Sequence, residues 1–91
     1  MITSRQIQTC VEVARKYGAK KLVLFGSANE EPEKAQDIDL ICDGVRGLDL
    51  LRMAAEIENE TGAPVDVVSA VPRTPFVSMN APRGRVIHAV A

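Results

Sequence analysis

The chain has 91 residues, 46% hydrophobic and 25% charged, a globular composition with room for one domain, expected to span 1–91, and none for a second. Its only aromatic residues are Tyr17, Phe25 and Phe76, and 11 Lys+Arg against 12 Asp+Glu leave a net charge of −1. The stacking platforms and positive field that direct nucleic-acid binding requires are therefore missing. No run approaches the ~20 apolar residues that span a bilayer, and residues 1–6 lack the basic-then-apolar pattern of a secretory leader. The expectation is a cytoplasmic protein without membrane attachment, folding alone or as a small homo-oligomer.

Thr3-Ser4-Arg5-Gln6 has the spacing of a capping box, and Ile7, Cys10, Val11, Ala14 and Tyr17 follow at helical intervals until Gly18. A first helix is predicted there. Lys21–Phe25 is a short apolar run closed by Gly26-Ser27, a buried strand. Ala28 to Gln36 carries three Glu, one Pro and one Asn and is expected to stay outside the core. Asp37-Ile38-Asp39-Leu40-Ile41-Cys42 starts by alternating and ends apolar, a second strand whose first half borders solvent. Leu50, Ala54 and Ile57, widened by Leu51 and Met53, give a helix over 48–61 that Gly62 stops. Pro64-Val65-Asp66-Val67-Val68 reads as a third strand, residues 76–80 as one or two helical turns, and Arg85–Ala89 as a last strand. The order α-β-β-α-β-(α)-β specifies an α+β fold, a small mixed sheet with helices packed on one face. Cys10 and Cys42 belong to no C-x-x-C pair and are expected to be small buried hydrophobes.

The chemistry concentrates in three carboxylates. Asp37 and Asp39, two apart on a strand, leave the same face about 6.5–7 Å apart along the backbone. Two anions so placed repel unless a cation sits between them, and paired carboxylates are a hard-oxygen setting for magnesium. Asp66 interrupts an otherwise apolar strand, where an unpartnered carboxylate is costly. A strand-helix-strand connection from Cys42 to Pro64 favours parallel pairing and brings Asp66 to the same end of the sheet. If the first two strands run antiparallel, Gly26-Ser27 lies at that end too, with a glycine that lets a phosphate approach the backbone and a hydroxyl to donate to it. Each piece alone has a plainer reading: an edge strand turned to water, a common turn.

Taken together, Leu24-Phe25-Gly26-Ser27, Asp37-Ile38-Asp39-Leu40 and Val65-Asp66-Val67 resemble the minimal nucleotidyltransferases of the polymerase-beta-like superfamily, over nearly the whole chain. The resemblance implies that Asp37, Asp39 and Asp66 hold two Mg2+ ions and act in catalysis. It further implies that Gly26 and Ser27 hold the phosphates of ATP or another nucleoside triphosphate, and that a hydroxyl attacks the α-phosphorus. Asp66 matches the acid that helps deprotonate that hydroxyl. Family members of this size pair with a small helical HEPN protein as the antitoxin of a toxin–antitoxin module and adenylylate it, so a HEPN partner is implied as well.

The sequence departs from the family in one place. Where members commonly follow Gly-Ser with Arg, this chain has Ala28-Asn29-Glu30-Glu31-Pro32-Glu33, whose charges oppose a triphosphate. That loop supports the alternative of a non-catalytic binding module that inhibits a partner by contact. Arg46, beyond the far end of the second strand, is too distant to replace the missing Arg. His88 and the Arg73, Arg83, Arg85 group are read as edge and solvated residues.

Overall fold

A computed structural model describes residues 1–90; Ala91, the end of the expected 1–91 domain, lies outside the described residues. Helix α1 (Ser4–Lys16) starts at the expected capping box: the Thr3 hydroxyl accepts from the Gln6 amide at 3.2 Å and the Gln6 side chain accepts from the Thr3 amide at 2.8 Å. This satisfies two donors that a helix start leaves orphaned. Strand β1 (Lys21–Phe25) follows as predicted. After Gly26 comes one turn the sequence did not announce, α2 (Ser27–Glu30), then β2 (Ile38–Asp43), α3 (Leu48–Thr61), β3 (Val65–Ser69), α4 (Pro75–Asn80) and β4 (Arg85–Ala89). Gly62 caps α3 in the left-handed region, where a side chain would be strained. The Thr74 hydroxyl accepts from the Val77 amide at 3.2 Å and starts α4, with Pro75 where its missing N–H is not needed.

The four strands lie in the order β3-β2-β1-β4, with β1 antiparallel to both β2 and β4 and β2 parallel to β3. Alternation along the strands then assigns every side chain to one of two faces. Leu22, Leu24, Ile38, Leu40 and Cys42 point to the face that α1 and α3 cover, and with Cys10, Ala14, Met53 and Ile57 they form the main core. The two helices are also tied at the surface, where the Glu56 carboxylate pairs with the Lys16 ammonium and accepts from the Tyr17 hydroxyl at 3.1 Å. The opposite face carries Val23, Phe25 and Ile41, and there α4 lays Val77 against them. The two long helices thus share one face as expected, and the short α4 covers part of the other.

The acidic segment is more firmly held than its composition implied. Ala28 and Ala35 are both buried in the main core, and the buried Ile2 donates its amide to the Pro32 carbonyl at 2.8 Å. Small alanines do this without disturbing the solvation of Glu30, Glu31 and Glu33, which stay exposed. Cys10 and Cys42 are fully buried free thiols, and burial pushes both up to about 11. Among the described residues no helix is long and apolar enough to cross a membrane.

Candidate active site

Antiparallel pairing of β1 and β2 sets Phe25 opposite Asp39, and parallel pairing of β2 and β3 sets Asp66 opposite Asp39. Directly paired residues share a face and stand about 5 Å apart at the backbone, so both carboxylates project beside Phe25 from the face that α1 and α3 leave free. Asp37 lies one residue before β2 begins, in a bend, and is exposed. Its expected place inside the strand is thereby corrected: Ile38 makes the first ladder bond, donating to the Pro64 carbonyl at 2.9 Å.

Asp66 departs from expectation in burial. The sequence suggested a carboxylate inside a buried strand; it is exposed, because β3 is an edge strand and none of its residues is fully buried. Asp39, in the interior of the sheet, is half-buried instead. Its carboxyl is held above the ordinary aspartate value of 3.8, first by burial, then by the charge of Asp66 and then by that of Asp37. Asp39 therefore feels Asp66, its partner across the ladder, more than Asp37, which lies before the strand.

Gly26 closes the group. A side-chain carbon there would stand 2.7 Å from Asp39 Oδ2, and the backbone at φ +71, ψ −156 is open essentially to glycine alone. Ser27 follows, exposed, at the start of α2. The turn and the carboxylates thus meet at one end of the sheet. On the β1 side of Asp39, across from Asp66, lies a neighbour that the sequence reading missed, an aromatic pair in which the Phe76 ring meets Phe25 edge-on, centroids 5.7 Å apart at 76°. Its signal was the position of Phe25, the last strand residue before Gly26 and on the same face as Val23.

The donor chemistry suits a hard divalent ion: carboxylate oxygens of which Asp39 is raised by burial and, after that, by the neighbouring negative charges, both of which a bound cation would offset. Among the described residues, however, no three His, Cys, Asp or Glu side chains already stand close enough to enclose one.

The family model "Nucleotidyltransferase domain" matches residues 7–90, almost the whole chain. The chain belongs to the nucleotidyltransferase family. A Methanocaldococcus jannaschii protein named "Putative protein adenylyltransferase MJ0435" is 35% identical to this nucleotidyltransferase over 63 residues, 65% of this chain and 68% of that one. A solved "putative minimal nucleotidyltransferase" superposes with a TM-score of 0.70 at 26% identity, covering 93% of this chain and 89% of that one. More distant at 14% identity, and so informative about fold alone, are two further solved structures. One is a toxin–antitoxin with AMP-PNP, with a TM-score of 0.78 over 91% of this chain and 73% of that one. The other is a tri-AMPylated Shewanella oneidensis HEPN toxin in complex with MNT antitoxin, with a TM-score of 0.71 over 93% and 73%. The nucleotidyltransferase fold expected from the sequence is the fold observed.

Proposed function

We propose that this nucleotidyltransferase transfers AMP from ATP to a hydroxyl of a partner protein in the cytoplasm, and that the partner is a helical HEPN toxin for which it is the antitoxin. The observation carrying the chemistry is the Asp39–Asp66 register pair with the Gly26 backbone pressed against Asp39. The acceptor class is supported by the adenylyltransferase name of the 35%-identical relative and by the HEPN complex among the fold neighbours.

In this reading Asp39 and Asp66, with Asp37 at the entry of β2, would hold magnesium. Two such ions, when bound, would supply positive charge to offset the triphosphate and the charge that develops at the α-phosphorus. Gly26 lets the β- and γ-phosphates approach the backbone, and the Ser27 hydroxyl donates to them. Asp66, open to solvent, takes the proton of the attacking hydroxyl. The acceptor oxygen bonds to the α-phosphorus as the bond to the β-phosphate breaks, releasing pyrophosphate.

Calorimetry with ATP, with magnesium and with EDTA, tests the site, and the mass of a co-expressed HEPN protein tests the acceptor. Equal affinity in EDTA, or an acceptor that gains no AMP, overturns the respective half. A second reading, inhibition by contact alone, draws on the exposed Glu30, Glu31 and Glu33 beside Ser27. It requires that Asp39→Asn leave toxin neutralisation intact.

A further inference from the structure

Phe76 occupies an unusual position for an aromatic side chain in so small a protein. It stands one ring away from Asp39: Phe25 is Asp39's partner across the β1–β2 ladder, and Phe76 meets Phe25 at 5.7 Å. Phe25 is only 7% exposed, whereas Phe76 keeps 49% of its surface bare. The anchoring of α4 is already provided by Val77, 1% exposed. Met79, three residues on and therefore on the same flank of the helix, is also exposed. The two make an exposed apolar strip on α4 whose Phe76 end rests on Phe25 beside Asp39, on the sheet face that α1 and α3 leave free.

The backbone beneath the strip is tied at both ends of α4. The Thr74 cap fixes the start of α4, and the Asn80 side chain donates to the Phe76 carbonyl at 2.9 Å. Of the other two aromatic rings, Phe25 is buried beneath Phe76, and the Tyr17 hydroxyl is engaged by Glu56 on α3, across the sheet. Phe76 is therefore the one ring with an open surface next to the acidic pair.

We propose that Phe76, flanked by Met79, is the surface on which the base of the bound nucleotide stacks. The inference rests on the nucleotide reading above and deepens it: Gly26-Ser27, and magnesium on the carboxylates, would hold phosphates, which are the same in every nucleotide, and Phe76 holds the part that is not phosphate. Stacking needs one planar π-face and a polarizable apolar rim, which a ring and a thioether supply. One platform suits one base, in keeping with a chain that has no row of aromatics to track a strand.

The test compares ATP with inorganic tripolyphosphate, both with magnesium, by calorimetry on the unaltered chain and on Phe76→Ala. Ring–base stacking predicts that ATP affinity falls about tenfold, within the range found for bases on aromatic side chains, while tripolyphosphate affinity is unchanged. Phe76→Leu keeps apolar bulk against Phe25, so the selective loss for ATP should persist in it while the unfolding midpoint stays put. The chain has no Trp, so Phe76→Trp installs a lone reporter whose emission ATP should quench and tripolyphosphate should not. Equal losses for both ligands, or none for either, overturn the proposal and leave the phosphate site standing. Failure of both ligands to bind the unaltered chain overturns the proposal and the nucleotide reading together.

Discussion

The two faces of the sheet are built from the same strands and do opposite work. On β2, Ile38, Leu40 and Cys42 are fully buried beneath α1 and α3, while Asp39 between them points to the other side beside Asp66. One face gains free energy by burial. The other concentrates like charge at one end and holds Asp39 above its ordinary value, which costs folding energy that the first face offsets. At the Asp39 end of the sheet a side chain's contribution is thus decided by its parity along the strand, and Asp39 should separate cleanly in experiment from Ile38 and Leu40 beside it, while further along the same face Ile41 is buried under α4.

The largest effect is expected for Leu40→Ala, a central-strand cavity that should lower unfolding free energy by about 2–5 kcal/mol in urea titrations. That is much of what a domain this size possesses. If Asp39→Ala is as damaging, the division between faces fails. Next is Gly26→Ala, which places a side chain in a glycine-only conformation and against the Asp39 carboxylate. A loss of about 1–3 kcal/mol in stability is expected, together with weaker ATP binding as the carboxylate is displaced.

Asp39→Asn should reduce magnesium-dependent ATP affinity at least tenfold, or about 1.4 kcal/mol, without loss of stability. The sign follows from proton linkage. The carboxyl is raised in the folded chain, which therefore binds its proton more tightly than the unfolded chain does. Stability from this group is full below 3.8 and is lost as pH rises through the folded value. The variant lacks that loss, so thermal midpoints of the two chains should diverge in its favour across this acid interval and run parallel at neutral pH. A divergence of the other sign would mean that Asp39 is stabilised by a partner. The smallest effect is expected for replacing Glu30, Glu31 and Glu33 by Gln: triphosphate binding tightens a few-fold at low salt, shrinking as screening approaches roughly 8 Å at physiological strength. Glu31 already has Lys34 at 3.5 Å, which limits the gain. Unchanged nucleotide affinity with a weaker partner complex would assign the loop to the interface.

How far the sequence could be read follows the same logic. The capping box at Thr3, the stop at Gly62 and the run Lys21–Phe25 carry their own local signals, and the structure has each where it was expected. The mixed sheet followed from one helix-linked connection and one loop-linked connection. What was hidden depended on partners distant in the chain. Helix α2 is a single turn whose only buried residue is Ala28, too small to raise a periodic pattern among acids. Asp66 looked buried because Val65, Val67 and Val68 are apolar, yet an edge strand covered on one side leaves even such residues partly open. That Asp37, Asp39, Asp66 and the Gly26-Ser27 turn lie at one end of the sheet was legible because spacing and strand direction decide it. Phe76 was not, since nothing in residues 70–84 says which ring α4 will rest on.

The two buried thiols give this small protein an internal clock. Cys10 sits on α1 and Cys42 on the β2 strand beneath it, and at about 11 neither supplies appreciable thiolate at neutral pH. A disulfide reagent in the surrounding solution must therefore wait until α1 lifts from the sheet, and the labelling rate counts those openings. Ligand-induced slowing of that rate would reveal how strongly events on the carboxylate face are felt beneath the helices, without any engineered probe.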